Sequence, residues 1–451
     1  MFNVILAMDN NNGIGSANSL PWNFSKDLKL FKTLTTNKVP FQENIIIMGR
    51  KTMETLPNKY LLDRINIVIS RSDNNVNQNV KFVKSFNDAL NLAYSINGLY
   101  SENIWIIGGA TIYNLAFTHR DLNKIYYTKI DGTFNCDTFV NLPKHKILNF
   151  YQYDDINKNN QIVYKLKYIT VKPYLNAENQ YLHLLKDILN NGEKRMTRNG
   201  YTYSLFSKTL KFDVSDNFPL LTTKKMFWKG IVEELLFFIR GDTNTKNLEN
   251  KGINIWKGNT NRRFLDSLGL DYEEGSMGPM YGYQWRNFNS DNIDQLQNVI
   301  NDINNNPSSR RILMTDFNPS QVKQGVLYPC HSLILQFYVQ GDKLSVNMYQ
   351  RSADVFLGLP FNIASTSLLL YMIAKLTNKK PSIVTITLGD CHIYESHKEQ
   401  CLEQLKRETF NLPKITIPDF KTIKDIEETS FKNYELVNYN YHPSIKAKMI
   451  A

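Results

Sequence analysis

Short apolar runs punctuate the first third of the chain at residues 4–7, 44–48, 65–69, 104–107 and 124–130. Between them lie stretches with helical spacing of apolar positions, at 27–33 and 87–93. Brief apolar runs bounded by turn formers read as strands, and the three-or-four spacing reads as helix. Strands alternating with helices predict an α/β domain with a mostly parallel sheet. A last run, 161–171, alternates apolar and polar residues, which predicts a strand paired antiparallel at the end of that sheet. Pro173 stops it, an amphipathic helix is expected at 180–189, and a second domain begins there. Further on, 230–240 reads as an apolar helix with two carboxylates, of which Glu233 is expected on a solvated face. Residues 333–339 alternate like a strand. The longest apolar run, 363–376, carries Ser and Thr and is too short to span a bilayer.

Composition narrows this picture. A chain of 451 residues can bury two or three sizeable cores. Its four cysteines, Cys136, Cys330, Cys391 and Cys401, show neither zinc-ligand pairing nor disulfide density, which fits a reducing compartment and implies no metal cluster. The apolar start lacks a basic leader and reads as a first strand, so a cytoplasmic location is expected and no membrane. The net charge of +11 points to anionic partners. Without a run of consecutive basic residues, small anions such as nucleotides are favoured over obligatory nucleic-acid binding. Asparagine-rich tracts at 73–79 and 304–306 read as surface loops.

The densest chemistry lies between Tyr328 and Asn362. Cys330 follows a proline and precedes His331; a thiolate is a strong nucleophile once nearby cations lower its pKa. Arg351 and Ser352 offer a planar fork and a hydroxyl suited to phosphate. The Asn362 amide carries both a donor and an acceptor, enough to read a pyrimidine edge. A lone cysteine in such a segment is more often plain core; the polar set downstream outweighs that reading. In the first half, Asn12-Gly-Ile-Gly-Ser is a loop after the first strand, and Asp27 opens a helix, either as a cap or as a buried carboxylate. Ile104-Trp-Ile-Ile-Gly-Gly-Ala-Thr reads as strand, turn and helix start, a geometry that offers backbone N–H groups to a pyrophosphate. Met48-Gly-Arg-Lys-Thr and Ser70-Arg set cations and hydroxyls at strand ends, where open α/β sheets bind ligands. The usual Gly-x-Gly-x-x-Gly dinucleotide fingerprint is absent.

Gly-Ile-Gly, Leu-Pro-Trp-Asn, Met-Gly-Arg-Lys-Thr, Ile-Gly-Gly-x-x-Ile-Tyr and Tyr-Thr-Lys-Ile-Asp, in that order, resemble dihydrofolate reductase over residues 1–172. The resemblance implies that Asp27 bonds the pterin ring and assists protonation at N5, supported by Thr128. It implies that Ala7, Phe31 and Ile107 line the pterin pocket and that Arg64 holds the folate carboxylate. NADPH would be held by Gly15, Arg50, Lys51, Thr52, Ser70, Arg71, Lys84, Gly108, Gly109, Ala110 and Thr111. Met53 departs from the family's usual tryptophan, a matter of packing.

After a linker at 173–178, residues 179–451 resemble thymidylate synthase, an α+β domain, through Phe-Pro-Leu-Leu-Thr-Thr-Lys-Lys, Gly-Pro-Met-Tyr-Gly-Tyr-Gln-Trp-Arg, Pro-Cys-His, Gln-Arg-Ser-x-Asp, Gly-Leu-Pro-Phe-Asn and Gly-Asp-x-His-x-Tyr. This resemblance implies that Cys330, activated by surrounding arginines, attacks C6 of dUMP, and that 5,10-methylenetetrahydrofolate is the cosubstrate. Glu234 would organise proton transfer, Tyr281 would lie near the proton lost from C5, and Trp256 would face the folate. Arg198, His331, Gln350, Arg351, Ser352, Asp354, Asn362, His392 and Tyr394 would bind dUMP. Arg310 and Arg311 would reach across a homodimer to the partner's phosphate site. The loop at Arg198 is about one residue shorter than the family's form, and Phe317 stands at a usual tryptophan. An aspartate in place of Asn362 would suit cytosine, so the substrate is read as dUMP and not dCMP. A silent nucleic-acid-binding relative would tolerate losses at Cys330, Asp27 or Arg351, and all three are present. Laid end to end, the two halves resemble the fused dihydrofolate reductase–thymidylate synthase family.

Overall fold

The computed structural model describes the chain except residues 38, 40, 41, 72–78, 98–102, 120, 144, 157–161, 174–176 and 451. Most of the asparagine tract at 73–79 and the centre of the 173–178 linker therefore lie outside the described residues. The chain divides into two compact units, 1–175 and 176–451.

The first unit is built on an eight-stranded sheet. Its strands are β1 (Phe2–Met8), β2 (Ile45–Gly49), β3 (Ile65–Ile69), β4 (Val80–Val83), β5 (Ile104–Ile106), β6 (Leu122–Ile130), β7 (His145–Ile156) and β8 (Ile162–Pro173). Helices α1 (Ser25–Thr35), α2 (Arg50–Thr55), α3 (Phe86–Asn97) and α4 (Ala110–Thr118) connect them. The order across the sheet is β4-β3-β2-β5-β1-β6-β8-β7. Every neighbouring pair from β4 to β6 is parallel. The runs of Ile and Val in β2, β3 and β5 are buried on both faces, as a parallel sheet sandwiched by helices requires.

Two strands escape the sequence pattern. Residues 162–171 do pair antiparallel, but not at the end of the sheet: β7 lies outside them. An edge strand has little to bury, and β7 leaves Ile147, Phe150 and Tyr151 exposed, so its apolar residues make no clean alternation. The short β4 carries Lys81 among its four residues and reads as loop. Met53, at the position where tryptophan was expected, is buried with Ile46, Met48 and Trp105.

The second unit pairs a mixed six-stranded sheet with helices, an α+β arrangement. Its strands are β9 (Glu193–Thr197), β10 (Gly200–Asp213), β11 (Leu313–Met314), β12 (Ile334–Gln340), β13 (Lys343–Asp354) and β14 (Lys380–Tyr394), in the order β9-β10-β14-β13-β12-β11. Its main helices are α5 (Glu178–Asn191), α6 (Trp228–Ile239), α7 (Gln295–Asn305) and α8 (Gly358–Leu376). The apolar run at 363–376 belongs to this longer α8, whose 19 residues would suffice by length and composition to cross a membrane. Most of it is instead buried against β13, β14 and α6. Alternation along β12 points Leu335 and Phe337 inward and leaves Ile334 and Tyr338 in solvent.

Helix α6 corrects one expectation. Glu233 has no solvated face to occupy, because every residue from Gly230 to Ile239 is buried. A buried charge needs partners, and Glu233 accepts from Lys251 Nζ at 2.5 Å and from the Phe431 N–H at 2.9 Å.

Two candidate active sites

Asp27 lies in the first turn of α1, yet it does not cap that helix. Its Oδ1 accepts a 2.5 Å hydrogen bond from Thr128 Oγ1 on β6. In the parallel register Thr128 stands beside Ala7 of β1, so three of the expected residues meet at one point. Burial pushes the Asp27 carboxyl above its ordinary range, and the Thr128 bond pulls it partly back. Phe31, one turn further along α1, lies 5.9 Å from the Arg64 guanidinium carbon. Arg64 is steadied by its Nη1, which donates to Thr35 Oγ1 at 2.8 Å, and by its Nε, which donates to Leu62 O at 2.9 Å. Tyr113 gave no signal beyond ending the diglycine motif. It is buried, donates to Ile5 O at 2.8 Å, and is pushed up by burial and then by the Asp27 charge.

The diglycine turn lies at the carboxyl end of β5 and leads into α4. Gly108 has φ +127°, a region that side chains rarely adopt, and its carbonyl accepts from the Gly49 N–H at 2.8 Å. A Cβ at Gly109 would come within 3.3 Å of Thr52 Oγ1, so the surface between α2 and α4 is a cradle closed to larger residues. The residues present fit a dinucleotide: free N–H groups at the start of α4, the Thr52 hydroxyl, and the Arg50 and Lys51 cations. Arg50 is paired with Glu54 at 2.8 Å. Ser70, Arg71 and Lys84 gather at the ends of the paired strands β3 and β4, a second patch suited to phosphate. Gly15 instead sits on a separate ribbon, Gly13–Gly15 against Thr138–Phe139.

In the second unit Cys330 stands in the loop before β12. Its Sγ is 3.4 Å from Tyr281 Oη, which also accepts from the Cys330 N–H at 3.4 Å. Tyr281 precedes the short helix Gly282–Arg286 in a positive-φ conformation (φ +48°). It is clamped between rings: His331 stacks on it at 4.6 Å and Phe238 at 5.1 Å. Trp256 approaches the same phenol at 5.8 Å and donates its indole N–H to Glu234 Oε1 at 2.8 Å. Burial pushes Glu234 up to about 7, with the Trp256 bond acting against it, which suits a group that must both hold and release a proton.

The hairpin β12–β13 folds the rest of the motif onto the cysteine. Ser352 N donates to Cys330 O at 3.4 Å. Arg351 donates to Pro329 O and Tyr328 O, each at 3.2 Å, with its guanidinium over the Tyr328 ring at 5.2 Å. Gln350 is buried, and its side-chain oxygen meets no hydrogen-bond partner among the described residues. Asp354 accepts from the Phe356 and Leu357 N–H groups just before α8, and Asn362 is buried in the next turn of that helix. On β14, His392 Nδ1 bonds Asp390 Oδ1 at 2.7 Å and packs edge-on to Tyr394.

The shortened loop at Arg198 is a two-residue turn between β9 and β10, closed by the Thr197–Gly200 pair. Burial raises Tyr394 most; Asn199, Asp354, Arg198 and Cys330 also act on it, so Arg198 belongs to this cluster despite its short loop. Arg310 and Arg311 do not: they stand exposed after α7.

The expected activation of Cys330 by surrounding arginines needs correction. Burial dominates and raises the thiol; the Tyr281 hydroxyl lowers it, Asp316 raises it, and Arg351 lowers it. Arg351 is the arginine that acts on the thiol, and its carbonyl partners share its donors. The balance of these effects favours the thiol form of Cys330.

Comparison with known proteins gives the same division. A dihydrofolate reductase family model matches residues 1–172 and a thymidylate synthase model matches 179–451. The chain is 38% identical to the bifunctional dihydrofolate reductase-thymidylate synthase of Paramecium tetraurelia, over 99% of this chain and 98% of that one. It is 39% identical to bifunctional dihydrofolate reductase-thymidylate synthase 2 of Arabidopsis thaliana, over 99% of this chain and 88% of that one. Against the enzyme of the same name in Leishmania major the identity is 35%, over 99% and 95%. With both models matched in order and such relatives aligned nearly end to end, the chain belongs to the bifunctional dihydrofolate reductase–thymidylate synthase family.

Proposed function

We propose that dTMP is made at Cys330 and that dihydrofolate is reduced at Asp27. As a member of its family the chain is both a methyltransferase and an oxidoreductase: it makes dTMP from dUMP with 5,10-methylenetetrahydrofolate and reduces the resulting dihydrofolate. The Cys330–Tyr281 contact, with Glu234 and Trp256 beside it, is the observation that carries the residue assignment.

Cys330 loses its proton and attacks C6 of dUMP, and C5 becomes the carbon nucleophile that takes the methylene group. Loss of the C5 proton and hydride transfer from the tetrahydrofolate then turn that methylene into the methyl, give dihydrofolate, and free Cys330 as its bond to C6 breaks. Tyr281 stands where the C5 proton leaves. Glu234, near neutral in its pKa, manages the proton at the pyrimidine carbonyl. Asn362 accepts from N3–H and donates to O4, while His392 and Tyr394 hold the ribose. Arg198, Arg351 and Ser352 take the phosphate. In the first unit NADPH supplies the hydride, and the cradle of Thr52, Gly108, Gly109, Ala110 and Thr111 would hold it. Asp27, its carboxyl raised by burial and aimed by Thr128, passes the proton destined for N5.

The domain limits proposed are 1–172 and 179–451, joined by 173–178. A homodimer through the second unit completes the phosphate site with Arg310 and Arg311 of the other copy. The outward residues Phe206 (77% exposed), Tyr338 (65%) and Ile334 (47%) support that interface, because monomeric proteins rarely leave large apolar side chains gathered on one sheet. A cytoplasmic location is supported by four free thiols.

Two measurements test this reading. Mixing the protein with dUMP, 5,10-methylenetetrahydrofolate and NADPH should give NADPH oxidation that depends on dUMP. Oxidation only when dihydrofolate is supplied would mean that the second unit does not work as assigned. Next, Cys330→Ala and a double Arg310→Ala, Arg311→Ala variant should each be inactive in dTMP formation. Co-refolding them should restore about a quarter of wild-type activity, since random pairing makes half the dimers mixed and each mixed dimer holds one intact site. No recovery in a confirmed mixed dimer would rule out the shared site.

A further inference from the structure

Asp316 follows β11 and is 1% exposed, and neither of its carboxyl oxygens meets a hydrogen-bond partner among the described residues. Its neighbours are firmly held. The Thr315 N–H donates to Gln295 Oε1 at 3.0 Å, and Thr315 O accepts from Gln295 Nε2 at 2.7 Å. Asn318 Nδ2 donates to Asn289 Oδ1 at 3.0 Å. The backbone is fixed, yet the carboxyl is left alone. Buried polar groups are nearly always bonded, so such an exception points to function.

Its surroundings name that function. Asp316 lines a narrow hollow with Pro279, Met280, Asn318, Gln321 and Pro329. Pro329 adjoins Cys330 and Met280 adjoins Tyr281, so the hollow backs onto the reacting pair. We propose that Asp316 is a positioning residue for Cys330, whose charge holds the nucleophile in its protonated, resting form. The inference rests on Cys330 being the nucleophile of the second unit.

The electrostatics agree in sign. Two neighbouring acids in a poorly solvated pocket cannot both ionise without repulsion. A carboxyl ordinarily titrates far below a thiol; burial lifts both, and the Asp316 carboxylate, once ionised, raises the thiol further. The thiol must then ionise against a carboxylate. The other groups facing Cys330 do not cancel that charge. His331 is pushed down to about 4 by burial and is neutral, and Tyr281 and Tyr394 are raised and uncharged. Arg351 opposes it, and pulls less than Asp316 pushes.

The test is the pH profile of Cys330 alkylation by iodoacetamide, followed on the Cys330 peptide by mass spectrometry. Asp316→Asn keeps the shape and removes the charge. Its midpoint should move to lower pH, with Cys330 modified roughly tenfold faster below both midpoints, the factor carried by one unit of thiol pKa. Cys136, in the first unit, is the internal control and should be unchanged. Asp316→Ala should shift the midpoint in the same direction, and Asp316→Glu should keep the wild-type profile. Coincident profiles for wild type and Asp316→Asn, or a midpoint moved upward, would overturn the proposal. Retention of dTMP formation by Cys330→Ala would instead remove the nucleophile assignment and leave the alkylation result standing as a property of the thiol.

Discussion

Cys330→Ala is expected to lower dTMP formation by on the order of 10⁴-fold or more while leaving dihydrofolate reduction at its wild-type rate. The reason is chemical rather than structural. The substituted side chain is small, and the groups assigned to dUMP, among them Arg351, Ser352 and Asn362, lie on other elements, so binding should survive. Loss would fall on kcat, with little change in KM for dUMP. Release of a tritium label from C5 of dUMP reads the synthase step directly, and NADPH oxidation with added dihydrofolate reads the other half in the same sample. A variant within tenfold of wild type in tritium release would place the attacking atom elsewhere.

Asp27→Asn is expected to cost the reductase about 10²- to 10⁴-fold, the range contributed by a positioned general acid. The amide keeps the shape and can still accept from Thr128, so the loss isolates the proton. The pH dependence has a definite sign. Burial raises the Asp27 carboxyl, the acid form is the one that donates, and it is depleted as pH rises through the raised value. The wild-type rate should therefore fall on the alkaline side of that value, and the Asp27→Asn profile should lack this limb. Steady-state NADPH oxidation across pH decides it: a variant that kept the wild-type limb would assign the titration to another group.

Much of the architecture was legible because its signals are local. The Ile- and Val-rich strands of the first unit are buried on both faces, and residues that must be apolar on both sides leave a plain trace. The Cys330 cluster was legible for a related reason: Cys330 lies in the loop just before β12, and Arg351 and Ser352 lie on the β13 strand that folds back onto it, so a single hairpin brings them together. What escaped depends on three-dimensional cover. β7 hides because an edge strand buries too little to pattern itself. Glu233 looked solvated because helical periodicity says nothing of a helix covered on every side. The state of Cys330 turns on burial outweighing the Tyr281 hydroxyl and Arg351, a balance that no motif records. Asp316 matters through the partners it lacks, and a missing bond leaves no trace in a sequence.

The enclosure of α8 has a consequence during synthesis. One of the strands that covers it, β14, is translated after the helix itself. At about 5–20 residues per second, roughly one to four seconds separate the end of α8 from the end of β14. Through that interval the growing chain holds a segment as apolar as a bilayer anchor, with its cover unfinished. The chain thus passes through a state in which its most apolar helix has been made and its cover has not, and the pace of synthesis sets how long that state lasts.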